Sequence, residues 1–208
     1  MIRSLSNIFS DKVNIPIQTQ DKDNLFLVVV EEGALSAIKR LFLQGLPSNS
    51  YAISLDVDTA SLSEDDKKIF SRINHYLDKK NKAGINKRCD LVLFTECNGQ
   101  SSVYIFDLKS SDPEPMDVCN QLSNSEIYIR YILELARFFY NVDVSRVTFF
   151  KVIATTRVRK RVPYANVELR EKVARKKALF DKYNIKEVTV LPDNKKGYLQ
   201  FSELSRLF

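Results

Sequence analysis

Two short stretches of this chain are apolar almost without a break, and each carries an acid near one end. They are Cys89-Asp90-Leu91-Val92-Leu93-Phe94 and Val103-Tyr104-Ile105-Phe106-Asp107-Leu108-Lys109. Both read as strands, joined by a loop containing Asn98-Gly99. Tyr51 to Val57 and Val147 to Thr155 give further strand patterns, and Glu187 to Leu191 another. Residues 25–30 fit a strand or the first turns of a helix. Glu31 to Gln44 read as a helix with Leu35, Ile38, Leu41 and Phe42 on one face, ended by Gly45 and Pro47. Ser63-Glu64-Asp65-Asp66 opens a helix whose inward face holds Ile69, Phe70, Ile73, Tyr76 and Leu77. Pro113 and Pro115 precede a long helix over about 116–140, with Ile132, Leu135 and Phe139 inward. A basic helix covers about 166–183. The tail, Gly197 to Phe208, is apolar enough to pack onto the core. The order of elements predicts an α/β fold, with a mixed central sheet flanked by helices in one domain spanning 1–208.

Side chains alternate along a strand, so Asp107 and Lys109 project from the same face. A carboxylate and an amine at a strand end are costly to bury without a task. Metal-assisted hydrolysis supplies one: Asp107 as ligand of a divalent cation, Lys109 steering the attacking water. Asp-x-Lys recurs at Asp65, Asp66, Asp78 and Asp193, but there it lies in polar stretches that read as solvated surface. If the strands of Asp90 and Asp107 are antiparallel neighbours, about 5 Å apart, the two acids suit one hard cation. The alternative for Asp107 and Lys109 is a surface ion pair at a strand end. Asp56 and Asp58 read as exposed, His75 as solvated and Cys89 as a small apolar filler.

Composition narrows the class. The 208 residues are 44% hydrophobic and 28% charged, with a formal charge of +6. Charge is uneven: residues 151–180 hold ten Lys or Arg and two Glu. Arg157, Arg159, Lys160 and Arg161, then Arg175 and Lys176, form the electrostatic footprint expected for a phosphate backbone. Three cysteines without Cys-x-x-Cys spacing and a single histidine argue against a zinc site or a disulfide framework. A reducing cytoplasm fits this usage. No apolar run approaches a membrane span, and the first residues lack a signal peptide's apolar region.

Asp90, then Asp107-Leu108-Lys109 on the next strand, then a long helix and another strand, resemble the PD-(D/E)xK nuclease superfamily, the restriction-endonuclease-like proteins. The resemblance covers about 31–155, leaving a basic C-terminal extension over about 156–208. It implies a Mg²⁺- or Mn²⁺-dependent phosphodiesterase. By position, Asp90 and Asp107 would ligate the metal with the Leu108 carbonyl, and Lys109 would orient the water. Members add an acid from the first helix; Glu31 and Glu32 compete for this, and Glu31 precedes Leu35 and Ile38 by helical spacing. Some subgroups place a glutamine after the lysine, followed four residues later by tyrosine. Gln121 matches the first; Ser125 stands at the second. The proline of the motif is absent, Cys89 standing before Asp90.

The resulting expectation is a metal-dependent DNA endonuclease, with DNA favoured over RNA. Antiviral defence or a mobile element is the setting that association suggests, and a homodimer is expected if both strands are cut. The alternative is a non-catalytic nucleic-acid-binding or assembly subunit with a decayed nuclease site.

Overall fold

The computed structural model describes residues 1–21, 24–30, 36–57, 62–70, 73, 78, 84–109, 113–156 and 167–208. It is a mixed α/β protein with two mixed sheets and helices beside them. The larger sheet has five strands: β4 (Ser50–Ile53), β5 (Leu91–Cys97), β6 (Gln100–Lys109), β7 (Val147–Thr155) and β8 (Ile185–Thr189), in that spatial order. β5 runs antiparallel to both its neighbours, β4 and β6; β6, β7 and β8 are parallel. Asn98 and Gly99 both have positive φ, 51° and 75°, the requirement of the two-residue hairpin turn that fixes the β5–β6 register.

The second sheet has the order β1 (Gln18–Asp21), β2 (Asn24–Val30), β3 (Arg40–Leu46) and β9 (Lys196–Gln200). It lies against one face of the five-stranded sheet. Leu27, Val29, Leu41, Leu43 and Leu199 share a core with Leu91, Leu93, Tyr104, Phe106 and Leu108. The opposite face of the larger sheet, with Val92, Phe94, Val103, Ile105 and Ile153, packs on helices. These are α1 (Ile2–Ile8), α3 (Pro115–Tyr140) and α4 (Val167–Lys182). α2 (Glu64–Phe70) precedes the loop to β5, and α5 (Phe201–Ser205) buries Leu204 between the sheets. Covering both faces explains why β5 and β6 read as continuous apolar runs. Full burial of Phe94 and Phe106 contributes roughly 1.5–3 kcal/mol each.

Several expectations change. The helix over 31–44 is not formed where the chain is described: Arg40–Leu46 is a strand, and residues 31–35 lie outside the described residues. Leu41 and Phe42, placed on one helical face, point to opposite sides of the sheet. Gly45 is not a helix stop but the extra residue of a bulge. Leu25 pairs with Leu46 and Phe26 with Gln44, leaving Gly45 at φ +69° between them. One central sheet becomes two because the chain's first and last strands join β2 and β3. Strand β4 ends at Ile53, short of Val57. Phe139 is 69% exposed rather than inward, and Ile69 is exposed on α2. Phe70 and Ile73 do pack on the core; His75, Tyr76 and Leu77 lie outside the described residues.

α3 is tied to β7 by a charged cluster. Glu126 accepts from Lys151 Nζ at 2.9 Å and from Arg130 at 2.8 and 2.9 Å, while Arg130 lies 3.9 Å from the Phe149 ring centre. Burial pushes the Glu126 carboxyl up, but the hydrogen bonds and charges of Lys151 and Arg130 outweigh it, leaving the pKa below the ordinary glutamate value. Stability from a depressed acid is present above its unfolded pKa and lost as pH falls through the folded one. Glu126→Gln should therefore be clearly less stable than the native protein at neutral pH, with the gap closing under acid. Urea titrations across pH will show it, and a pH-independent gap would rule out the ionised carboxylate as its source.

The two sheets approach closely at Gly197. A Cβ there would lie 2.6 Å from Val190 Cγ1 and 2.8 Å from Ile38 Cδ1, both in buried side chains. Gly197→Ala should lose about 1–3 kcal/mol in denaturant unfolding; native-like stability would mean the sheets can part there without cost.

Candidate functional site

The β5–β6 register places Asp90 beside Asp107. Leu91 pairs with Phe106, and one step further Asp90 meets the Asp107 position. Asp90 Oδ2 accepts the Leu108 N–H at 2.6 Å, taking the place of a main-chain acceptor where β5 begins. A residue's N–H and C=O leave a strand by the same edge, so the Leu108 carbonyl faces the Asp90 side too. Val103 and Ile105 face the helices, and by alternation so do Asp107 and Lys109.

Asp107 has no exposed surface. Its Oδ1 accepts from Gln121 Nε2 at 2.7 Å, and its Oδ2 lies 2.8 Å from Lys109 Nζ. The lysine is 30% exposed and so links the buried acid to solvent. Gln121 uses its other amide hydrogen on the Arg88 carbonyl. The sequence-derived set of Asp90, Asp107, Leu108, Lys109 and Gln121 is thus brought together around the end of β6.

One face of α3 holds the segment leading into β5. Asp117 pairs with Lys87 Nζ at 2.6 Å, and Asn124 Nδ2 donates to the Lys87 carbonyl at 2.8 Å. Ser125 Oγ accepts the Cys89 N–H at 3.1 Å and donates to the Gln121 carbonyl at 2.9 Å. Positions 117, 121, 124 and 125 are one helical stripe, and together they fix the backbone on which Asp90 stands. Asp117 and Asn124 belong to no motif in the sequence, and Ser125 stands there only as a departure from one; the polar stripe at helical spacing is the signal that marks them. Ser125, the departure from the tyrosine pattern, therefore has a positioning task. Arg88 extends the network through an ion pair with Asp56 at 2.7 Å and a hydrogen bond to the Phe70 carbonyl.

Cys89 is fully buried, and burial pushes its thiol well up. Ser125 opposes this, and the nearby Asp107 and Asp90 charges add to it. It stays a thiol and fills space, as expected. Comparison with protein-family models, curated proteins and solved structures finds no match.

Other expected residues fall elsewhere. Glu31 and Glu32, Asp58, and the basic run Arg157, Arg159, Lys160 and Arg161 lie outside the described residues. Arg175 is exposed on α4 and pairs with Glu171 at 3.1 Å. Lys176 turns inward: its ammonium sits 3.0 Å from Glu187 on β8, where it anchors α4 to the sheet. No helix among the described residues is long and apolar enough to cross a membrane.

The Asp107–Lys109 pair should be energetically coupled, because removing one partner leaves a desolvated charge. Lys109→Met should destabilise, and adding Asp107→Asn should recover part of the loss. A double-mutant cycle in denaturant is expected to give about 1–2 kcal/mol, reduced by the lysine's exposure; strict additivity would mean the two charges do not sense each other.

Proposed function

We propose that the protein is a divalent-metal-dependent nuclease of restriction-endonuclease-like build, hydrolysing phosphodiester bonds in DNA. The observation that carries this reading is the convergence of Asp90, Asp107 and Lys109 at the ends of paired strands. The connectivity supports it in part: β4, β5 and β6, each antiparallel to the next, are followed by α3 and the parallel strand β7, the long helix and further strand expected after Asp107-Leu108-Lys109.

The donors fit a hard cation. Asp90, Asp107 and the Leu108 carbonyl offer only oxygen, which is what Mg²⁺ and Mn²⁺ take. Each carboxylate oxygen has two acceptor sites, so an oxygen bonded to Gln121 or Lys109 can also ligate a cation. Among the described residues no group of three or more His, Cys, Asp or Glu could hold a metal. Mg²⁺ is commonly bound by one or two carboxylates and keeps several waters, and Asp90 and Asp107 are two. Such a cation would offset charge on the scissile phosphate and lower the pKa of bound water. The protein's own part is then positional. Gln121 fixes the orientation of the Asp107 carboxylate through Oδ1. Lys109 Nζ, partly exposed, donates toward the attacking water or a non-bridging phosphate oxygen, where an ammonium stabilises developing negative charge.

A non-catalytic, nucleic-acid-binding role is the second reading, favoured by one observation: both oxygens of Asp107 are already engaged by Gln121 and Lys109. Mn²⁺ titration calorimetry and cleavage of plasmid, single-stranded DNA and RNA separate the two. The nuclease should bind Mn²⁺ through Asp90 and Asp107, and cleavage should fall roughly 100-fold or more in Asp107→Ala and Lys109→Ala. Activity untouched by those variants would remove the assigned site. Metal-free DNA binding without Mn²⁺ uptake would favour the binding subunit.

A further inference from the structure

The outward face of the second sheet carries chemistry that the carboxylate site does not use. Leu41, Leu43 and Leu199 point into the core, so the residues alternating with them face out. The parallel β3–β9 register arranges these as three cross-strand pairs: Arg40 with Lys196, Phe42 with Tyr198, and Gln44 with Gln200. One end of the face is cationic, the middle aromatic, the other end amide. The Phe42 and Tyr198 rings stack at 5.2 Å, and Phe26, opposite Gln44 on β2, lies diagonal to Phe42 at 6.3 Å. Gln200 Nε2 donates to Gln44 Oε1 at 3.0 Å. β9 is the sheet's edge, so the row ends at Tyr198, which is 48% exposed.

We propose that this face binds single-stranded DNA, with a base stacked on the outer face of Tyr198, the open end of the Tyr198–Phe42 stack, and the backbone along Arg40 and Lys196. Cross-strand aromatic pairs also stabilise sheets, but that function needs neither an open edge ring nor a cationic row beside it. An aromatic platform next to positive charge is how a single strand is held without sequence reading. Every base has a π-face, and every phosphate a charge. Successive rows are about 7 Å apart, so a nucleotide laid across them reaches from the cations to the rings. Amides at the far row can donate to and accept from base edges. The DNA assignment rests on the nuclease reading; the platform itself does not need the carboxylates to be catalytic.

Fluorescence anisotropy of labelled oligo(dT) with the whole chain, in EDTA, tests this. Binding should be salt-dependent and tighter than for a duplex of equal length. Tyr198→Thr, which keeps strand propensity at a half-exposed position, and Phe42→Thr should each weaken it roughly tenfold or more, with thermal melts confirming folding. Arg40→Gln and Lys196→Gln should each reduce the salt slope by about 0.7. Because the assay is run in EDTA, oligo(dT) binding should persist without any divalent cation, which keeps this result separate from failure of the metal site. Absent binding, binding indifferent to Tyr198→Thr, equal binding of duplex, or binding of oligo(rU) alone would overturn the proposal. Dimerisation abolished by Tyr198→Thr in sedimentation would likewise overturn it and assign the face to a second copy of the chain.

Discussion

A carboxylate with no exposed surface must have its charge answered by the protein, and Asp107 is in that position. Desolvating an ion costs several kcal/mol unless hydrogen bonds and an opposite charge replace its water. Lys109 supplies the charge from the same strand and the same face. Gln121 supplies the hydrogen bond from α3. The requirement runs outward from there. α3 must lie at one height over β6 for Gln121 to reach, and the segment before β5 must lie close enough for the same amide to bond Arg88.

The remaining polar residues of that helical face carry the constraint further. Asp117, Asn124 and Ser125 each fasten one group of the 87–89 backbone or side chains, and Asp90 follows directly. The two acids thus come from different strands but are positioned by one helix. Asp90 in turn caps the open N–H of Leu108, so the β5 start and the β6 end are closed by a side chain rather than by the ladder. A buried network of this kind stabilises only as far as its members answer one another, and Asp107, Gln121 and Lys109 are the members that define the candidate site. The second sheet lies behind it and supplies apolar backing to Leu108, Phe106 and Leu91, not ligands.

Much of this was legible in the chain because the signals were local. The period-2 placement of Asp107 and Lys109, the Asn98-Gly99 turn and the long helix after Pro115 each depend on neighbours in sequence. Gln121 was readable for the same reason, as an inward polar residue on a strongly periodic helix. Where local signals conflict with burial, the reading failed. Leu41 and Phe42 fit a helical face in a list of apolar positions. In the sheet they are divided between core and solvent, because β2 and β9 offer hydrogen-bonding edges that a sequence window does not contain. Phe139 failed differently: helical spacing puts it inward, but the buried face of α3 ends at Ala136, and Phe138, Phe139 and Tyr140 are all exposed.

The sequence by itself determined which residues could carry acid, amine and amide chemistry, and which faces they would share within one element, since both follow from backbone periodicity. Tertiary structure alone decided that strands from the two ends of the chain form a separate sheet. It also decided that Asp90 meets Leu108, that Lys176 turns to Glu187, and that Phe42 and Tyr198 stand side by side. Those outcomes depend on pairings between segments far apart in the chain. Their free energy comes from jointly excluding water and satisfying backbone groups, a property of the assembled layers and not of any one stretch.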